Sequence, residues 1–228
     1  MKILKIPFTA PLQSWGEDAR WDTRSTATSP TKSGIIGFLG CCLGYPRGDD
    51  RLNQLNRELT VAVRMDRPGR VLIDFQTVQG TNGVFLNAEG KPRTGGGTII
   101  TPKQYLQDAW FTIFLQGDVT VLDLCCEALN HPKWTPYLGR KNCVPSVPVV
   151  PEWIEADSLD EAVRLFTRED QKHSVQTVTV ETDASATEDI KPEERTYTRN
   201  DQLIHAEKNE YDTRFVKSFN ILSGGGLS

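Results

Sequence analysis

The apolar positions of the chain fall into short runs separated by polar, glycine-rich or proline-rich stretches. Residues 2–8 place Ile3, Leu4, Ile6 and Phe8 among Lys2 and Lys5, the pattern of a first strand. A helix is expected over residues 30–43: Ser29 suits the N-cap, Pro30 the first helical position, and Gly44-Tyr45-Pro46 ends it. Asp49 and Asp50 can open a short second helix through Leu52, Leu55 and Leu59. Residues 60–65 and 71–78 read as strands about a turn at Arg67-Pro68-Gly69. Residues 105–116 return to strand character, and 118–130 form a helix opened by Asp118 with Leu122, Cys125, Cys126 and Leu129 on one face. Ser158-Leu159-Asp160-Glu161 is a capping box for a helix over 159–167, and strands are expected at 174–181 and 213–222.

The stretches between these elements carry the unusual chemistry. Residues 9–30 make a long irregular connection containing Trp15, Arg20, Trp21 and Arg24, and a loop of that length in a compact domain is usually functional. Residues 79–101 hold Gly80, Gly83, Gly90 and Gly95-Gly96-Gly97, with Lys91 and Arg93 among them. Only Val84, Phe85 and Leu86 could anchor this stretch, so it reads as an extended hairpin or arm that orders on a partner. Residues 132–151 are rich in proline, and 182–195 are polar and acidic, a loop. The order strand, helix, strands, arm, strand, helix suits an α+β, ferredoxin-like sheet with helices on one face. RNA-recognition folds are built this way, as are many others, so the architecture alone carries no function. The expected division is residues 1–150, with the arm inserted, and a smaller, β-containing acidic portion at 151–228.

Charge sharpens this division. The net charge of −4 argues against a nucleic-acid binder, but it is unevenly spread. Residues 1–151 carry 17 Lys and Arg against 13 Asp and Glu, a net of +4, whereas residues 152–228 carry 9 against 17, a net of −8. A basic body with an acidic tail fits a protein that meets nucleic acid on one face, although acidic surface also serves solubility. No apolar run reaches the roughly 20 residues of a membrane span, and the start is broken by Lys5 and Pro7, unlike an export signal. The five cysteines, Cys41, Cys42, Cys125, Cys126 and Cys143, lack metal spacing and read as free thiols in a reducing cytoplasm.

Three places could hold a nucleic acid. At Ser29-Pro30-Thr31-Lys32-Ser33-Gly34 a helix start offers unpaired N–H groups and the positive dipole end, with two hydroxyls and a cation beside them, an assembly suited to phosphate. The same residues would also make a plain solvated cap, and the Walker A spacing is absent. Gly34, Gly37 and Gly40 recur inside that helix, and at about 1 kcal/mol each relative to alanine they call for some 3 kcal/mol of compensation. Approach to an RNA backbone would supply it at Gly34, and packing on the sheet at Gly37 and Gly40. Tyr137-Leu138-Gly139-Arg140-Lys141 sets an aromatic beside two cations, the kit for stacking on a base and holding its phosphate, unless Tyr137 packs inward. Trp15, Trp21 and Arg24 repeat that pairing, while Trp110 belongs to the core.

Catalytic chemistry is poorly represented. His131, His173 and His205 lie in no nucleophile or metal arrangement, so no catalytic residue, metal or cofactor is expected.

Taken together, Leu12-Gln13-Ser14-Trp15-Gly16 and Pro30-Thr31-Lys32-Ser33-Gly34-Ile35-Ile36-Gly37-Phe38-Leu39-Gly40 resemble the start of the type I-E branch of the Cas-five family of CRISPR-associated proteins. Asp74-Phe75-Gln76-Thr77-Val78, Tyr105-Leu106-Gln107-Asp108-Ala109 and Tyr137 to Cys143 follow in the family's order and spacing, so the resemblance spans residues 1–150. The acidic third resembles the family only loosely, through its length and a final strand about Arg214-Phe215-Val216. The resemblance implies a modified RNA-recognition fold with a protruding thumb, here residues 79–101. It implies a subunit that grips the 5′ handle of the guide RNA and caps that end of the surveillance complex, Cascade, beside its backbone and large subunits. Contact with target DNA near the PAM would be indirect. The RNA-binding residues so implied or read directly are Trp15, Arg20, Arg24, Thr31, Lys32, Ser33, Gly34, Lys91, Arg93, Lys103, Tyr137, Arg140 and Lys141. The family often has histidine where Gln76 stands and an arginine near Lys103. Its type I-C relatives cut precursor RNA with a tyrosine, a lysine and a histidine, for which Tyr45, Lys141 and His131 are the only candidates here. A general single-strand binder acting alone is disfavoured by the net negative charge.

Overall fold

The computed structural model describes residues 1–16, 24–80, 91–92, 99–165, 176–184 and 191–223. Its main sheet has seven antiparallel strands in the order β7-β1-β6-β3-β8-β10-β9. These are β1 (Lys2–Thr9), β3 (Thr60–Arg67), β6 (Trp110–Gln116), β7 (Glu152–Glu155), β8 (Gln176–Asp183), β9 (Arg195–His205) and β10 (Glu210–Ser223). β2 (Leu12–Gln13), β4 (Arg70–Val78) and β5 (Ile99–Gln107) make a second, three-stranded sheet in the order β2-β5-β4. Four helices complete the described elements: α1 (Lys32–Leu43), α2 (Asp50–Glu58), α3 (Val119–Asn130) and α4 (Leu159–Leu165).

Side chains of a strand alternate between faces, and β1 uses both. Leu4, Ile6 and Phe8 join a core with α1, α2 and α3, including Ile35, Phe38, Leu39, Leu55, Leu122 and Cys125. Ile3 points the other way, into a second core with Ala62, Phe114, Ile154, Val180 and Phe219. Helix α4 covers that face with Leu159, Ala162 and Val163. Helices therefore lie on both faces of the sheet, not on one as expected, because the second face is itself apolar.

The residues 105–116 do not form one strand. The chain leaves the small sheet at Gln107, turns through Asp108 (φ 55°) and enters the main sheet at Trp110. The neighbouring chain makes the same passage in reverse through Gly69, whose φ of +76° and whose position against the Gln107 carbonyl leave no room for a Cβ. Arg67 opposite Trp110 and Arg70 opposite Gln107 keep the pair together through the bend. β4 and β5 then project as a hairpin paired from Arg70–Gln107 out to Val78–Ile99. Residues 81–90 and 93–98, most of the expected arm, lie outside the described residues.

Past residue 150, β7 pairs with β1 and β8 pairs with β3, so the two expected portions share one sheet. β9 is an element that hydrophobic patterning misses. Its inward positions include Arg199 and Asp201, so the period-2 signal is ionic where apolar residues would mark a strand.

Candidate nucleic-acid interface

Much of the start of α1 is engaged by the chain's own groups. Thr31, not Ser29, is the N-cap, its Oγ1 accepting the Gly34 amide at 3.2 Å. Ser29 is buried, donating to Glu181 at 2.6 Å and accepting from Arg199 at 2.7 Å. The Lys32 amide donates to an Asp201 carboxylate oxygen at 2.8 Å, and the Lys32 ammonium pairs with Asp183 at 2.9 Å. Arg214 bridges those two carboxylates from β10, reaching Asp201 at 2.8 Å. Burial would raise the Asp201 pKa, but the Arg214 hydrogen bonds and charge, with the Lys32 amide, hold it below the ordinary carboxylate value. The dipole end and the cation expected to meet phosphate are thus neutralised by the chain's own acidic third. Thr31 and Lys32, 1% and 6% exposed, have no surface to offer RNA.

Gly34 and Trp15 also turn inward. A Cβ on Gly34 would stand 2.9 Å from the Trp15 ring and 2.9 Å from Thr31 Oγ1, so the close approach at Gly34 is to tryptophan, not to an RNA backbone. Trp15 is 1% exposed, stacks on Phe8 with ring centroids 5.8 Å apart, and donates its indole N–H to Gln13 at 3.2 Å. It is a core residue with no face open to a base. Gly40 is pressed against Leu52 of α2 and not the sheet, and a Cβ on Gly37 would meet nothing within 4 Å.

The loop 137–143 is fastened to the body by its backbone. Leu138 is fully buried, its N–H donates to the Cys143 carbonyl at 2.8 Å, and its own carbonyl accepts the Ser14 amide at 3.2 Å. Gly139 sits at φ +90°, so close that a Cβ would lie 1.6 Å from the Ser14 carbonyl oxygen. The two cations that follow part company. Arg140 donates to the carbonyls of Gln104 and Arg24, each at 3.0 Å, and of Ser25 at 3.5 Å, while its guanidinium lies 4.7 Å from the Tyr105 ring centroid. Lys141 is exposed.

Two grooves meet at this loop. One, of about 880 Å³, is lined by Gly37, Tyr45, Arg47, Trp134, Tyr137 and Lys141, among others. The other, of about 470 Å³, includes Arg24, Ser33, Arg47, Arg140, Asn200 and Tyr211. Gly139 and Arg47 line both, so the grooves adjoin. The arrangement joins four cations to four aromatic rings along one depression, the combination that stacks bases and neutralises phosphates. Of the residues expected to touch RNA, Arg24, Ser33, Tyr137, Arg140 and Lys141 come together here. Lys103 instead hydrogen-bonds Gln76 on the projecting hairpin, which in turn donates to Asp74 at 2.6 Å. Lys91 is exposed, and Arg20 and Arg93 lie outside the described residues.

Arg47, Trp134, Asn200 and Tyr211 were not read from the sequence. Arg47 follows Tyr45-Pro46 at a helix end, and that aromatic–cation pairing was the available signal. Asn200 and Tyr211 come from the acidic third, where nothing marked them. Tyr45 and Lys141 line the large groove, but His131 is not among its lining residues, and the Arg51 guanidinium lies over one face of the Tyr45 ring at 3.9 Å. Burial pushes the Cys42 and Cys125 thiols up to about 12, far from nucleophilic. Among the described residues no group of three His, Cys, Asp or Glu is placed to hold a metal, and no helix is long and apolar enough to cross a membrane.

Comparison with known proteins gives these grooves a context. A family model described as CRISPR-associated protein (Cas_Cas5) matches residues 3–217. The CRISPR system Cascade subunit CasD of Escherichia coli (strain K12) is 34% identical over 152 residues, which is 61% of this chain and 66%, just under two thirds, of that one. A chain of a solved CRISPR RNA-guided surveillance complex superposes with a TM-score of 0.72 at 29% identity, over 97% of this chain and 90% of that chain. A crystal structure of a Cas protein gives 0.71 at 28% identity, over 97% and 95%.

Proposed function

From the premise that this chain belongs to the CRISPR-associated Cas5 family, we propose that it is a non-catalytic, RNA-holding subunit of a Cascade-type surveillance complex. Its role is to grip the 5′ handle of the guide RNA and cap that end of the assembly, beside the backbone and large subunits. Target DNA would be met only indirectly, near the PAM. The observation that carries this reading is the joined groove, in which Arg24, Arg47, Arg140 and Lys141 stand among Tyr45, Trp134, Tyr137 and Tyr211. Single-stranded RNA with splayed bases suits such a surface, since rings accept any base face and cations follow the backbone.

The ferredoxin-like reading of the body rests on the order β7-β1-β6-β3, with α1 and α2 between β1 and β3 and α3 between β6 and β7. That is the strand order of a split βαβ unit, interrupted by the β4–β5 hairpin, which leads into the proposed thumb at residues 79–101. A ribonuclease reading is less well supported, because Tyr45 and Lys141 share a groove that His131 does not line.

Reconstitution with guide RNA carrying 4-thiouridine in the handle tests the proposal. Photocrosslinks are expected in peptides containing Arg47, Tyr137 or Lys141, and crosslinks confined to other surfaces would overturn it. Incubation with precursor RNA without metal should leave the RNA intact; site-specific cutting that a Tyr45→Phe change removes would make the chain an enzyme.

A further inference from the structure

Gly37 is the one glycine of α1 whose place the fold does not explain. Gly34 yields to the Trp15 ring and Gly40 to Leu52. Gly37 stands in mid-helix, exposed, with nothing within 4 Å of where a Cβ would be. A glycine there weakens the helix relative to alanine and leaves the backbone open to water, and no internal contact offsets that loss. Its position is nevertheless particular. Gly37 is part of the wall of the 880 Å³ groove and of a smaller cavity of about 160 Å³, and Arg47 lines both with it. Tyr137 and Lys141 line the same groove.

We infer that Gly37 is a positioning residue for RNA: the ribose–phosphate backbone of the bound strand crosses α1 there, lying against the bare helix with Arg47 and Lys141 as its phosphate partners. This rests on the RNA-holding reading above and narrows it to a path. A bare helix surface lets a sugar or phosphate approach closer than any side chain would permit, which is the standing use of glycine where a ligand meets main chain. The path explains why a residue unfavourable to the helix sits where the protein itself has room for a larger one.

The test compares Gly37→Ala and Lys141→Ala in the full chain, reading thermal midpoint, affinity for its guide RNA, and incorporation into the complex. Gly37→Ala should raise the midpoint by about 2–4 °C, as a helix gains alanine without a clash. It should weaken RNA binding about tenfold, the scale of forcing an extra methyl into a packed contact. A lower midpoint would mean an internal reason for the glycine and would overturn the inference. Binding within twofold of the parent, while Lys141→Ala binds weakly, would overturn the path and leave the RNA-holding reading standing. Unchanged binding in both variants would overturn that reading as well. Normal RNA affinity with failed assembly would replace RNA at Gly37 by a protein neighbour.

Discussion

The amide of Lys32 donates to the carboxylate of Asp201 across 169 positions of sequence, at 2.8 Å and out of reach of solvent. The bond ties the first turn of α1 to β9, and Arg214 completes it by holding Asp201 and Asp183 together. Asp201→Ala would leave a buried amide and part of a buried guanidinium unpaired. Such a truncation is expected to lower stability by about 3–5 kcal/mol, read as a shift of the urea midpoint. A loss below about 1 kcal/mol would mean the network is relaxed or solvated.

The same carboxylate sets a pH dependence whose sign is fixed. Asp201 is held below its ordinary value when folded, so its contribution is present above the unfolded pKa of about 3.9 and is lost as pH falls through the folded one. The stability gap between the parent and Asp201→Ala should therefore be level from neutral pH down to about pH 5 and narrow below about pH 4. Urea titrations at stepped pH measure it, and a gap that widens in acid would refute the assignment.

These two residues also show what the sequence could not disclose. The helix, its glycine terminator and its polar opening were legible at Ser29 to Gly44, because capping and termination are local. That the Lys32 end of this opening is taken up internally was not legible, because Asp183 and Asp201 lie 151 and 169 residues away and arrive only when β8 and β9 join the sheet. Trp15 misled for a similar reason: an aromatic in a long polar loop gives no local sign that Gly34 and Phe8 will enclose it. The kit at Tyr137 to Lys141 was legible as composition. Its division into one anchoring and one exposed cation depended on carbonyls of residues 24, 25 and 104 turning toward Arg140.

That division is testable. Arg140→Ala removes the donors to three main-chain carbonyls and should lower stability by about 2–3 kcal/mol. Lys141→Ala should stay within about 0.5 kcal/mol of the parent. RNA binding by Lys141→Ala should weaken uniformly across sequences, with the slope of log affinity against log salt reduced by about one. Equal stability losses in the two variants would show that Lys141 is also an anchor.

Trp15 separates core from interface. Trp15→Phe keeps a ring on Phe8 but loses the indole N–H bond to Gln13, a change of about 1–2 kcal/mol. Guide-RNA affinity measured well below the melting temperature should remain within twofold. A tenfold fall in a folded variant would mean that the ring leaves the core to stack on a base.

The two glycines that line the large groove should respond to the same substitution with opposite sign. Gly37 has space for a methyl group and a helix that would welcome it. Gly139 has neither: its φ of +90° strains any L side chain, and a Cβ would lie 1.6 Å from the Ser14 carbonyl oxygen, which as main chain cannot swing aside. Gly139→Ala must push the loop off Ser14, breaking the bond from the Ser14 amide to the Leu138 carbonyl and lifting the buried Leu138. The expected loss exceeds about 3 kcal/mol, a fall in thermal midpoint of at least about 6 °C for a chain of this size. RNA affinity should fall with it, since Tyr137 and Lys141 ride on the displaced loop. A Gly139→Ala protein as stable as the parent would show that the loop is not held where the groove requires it.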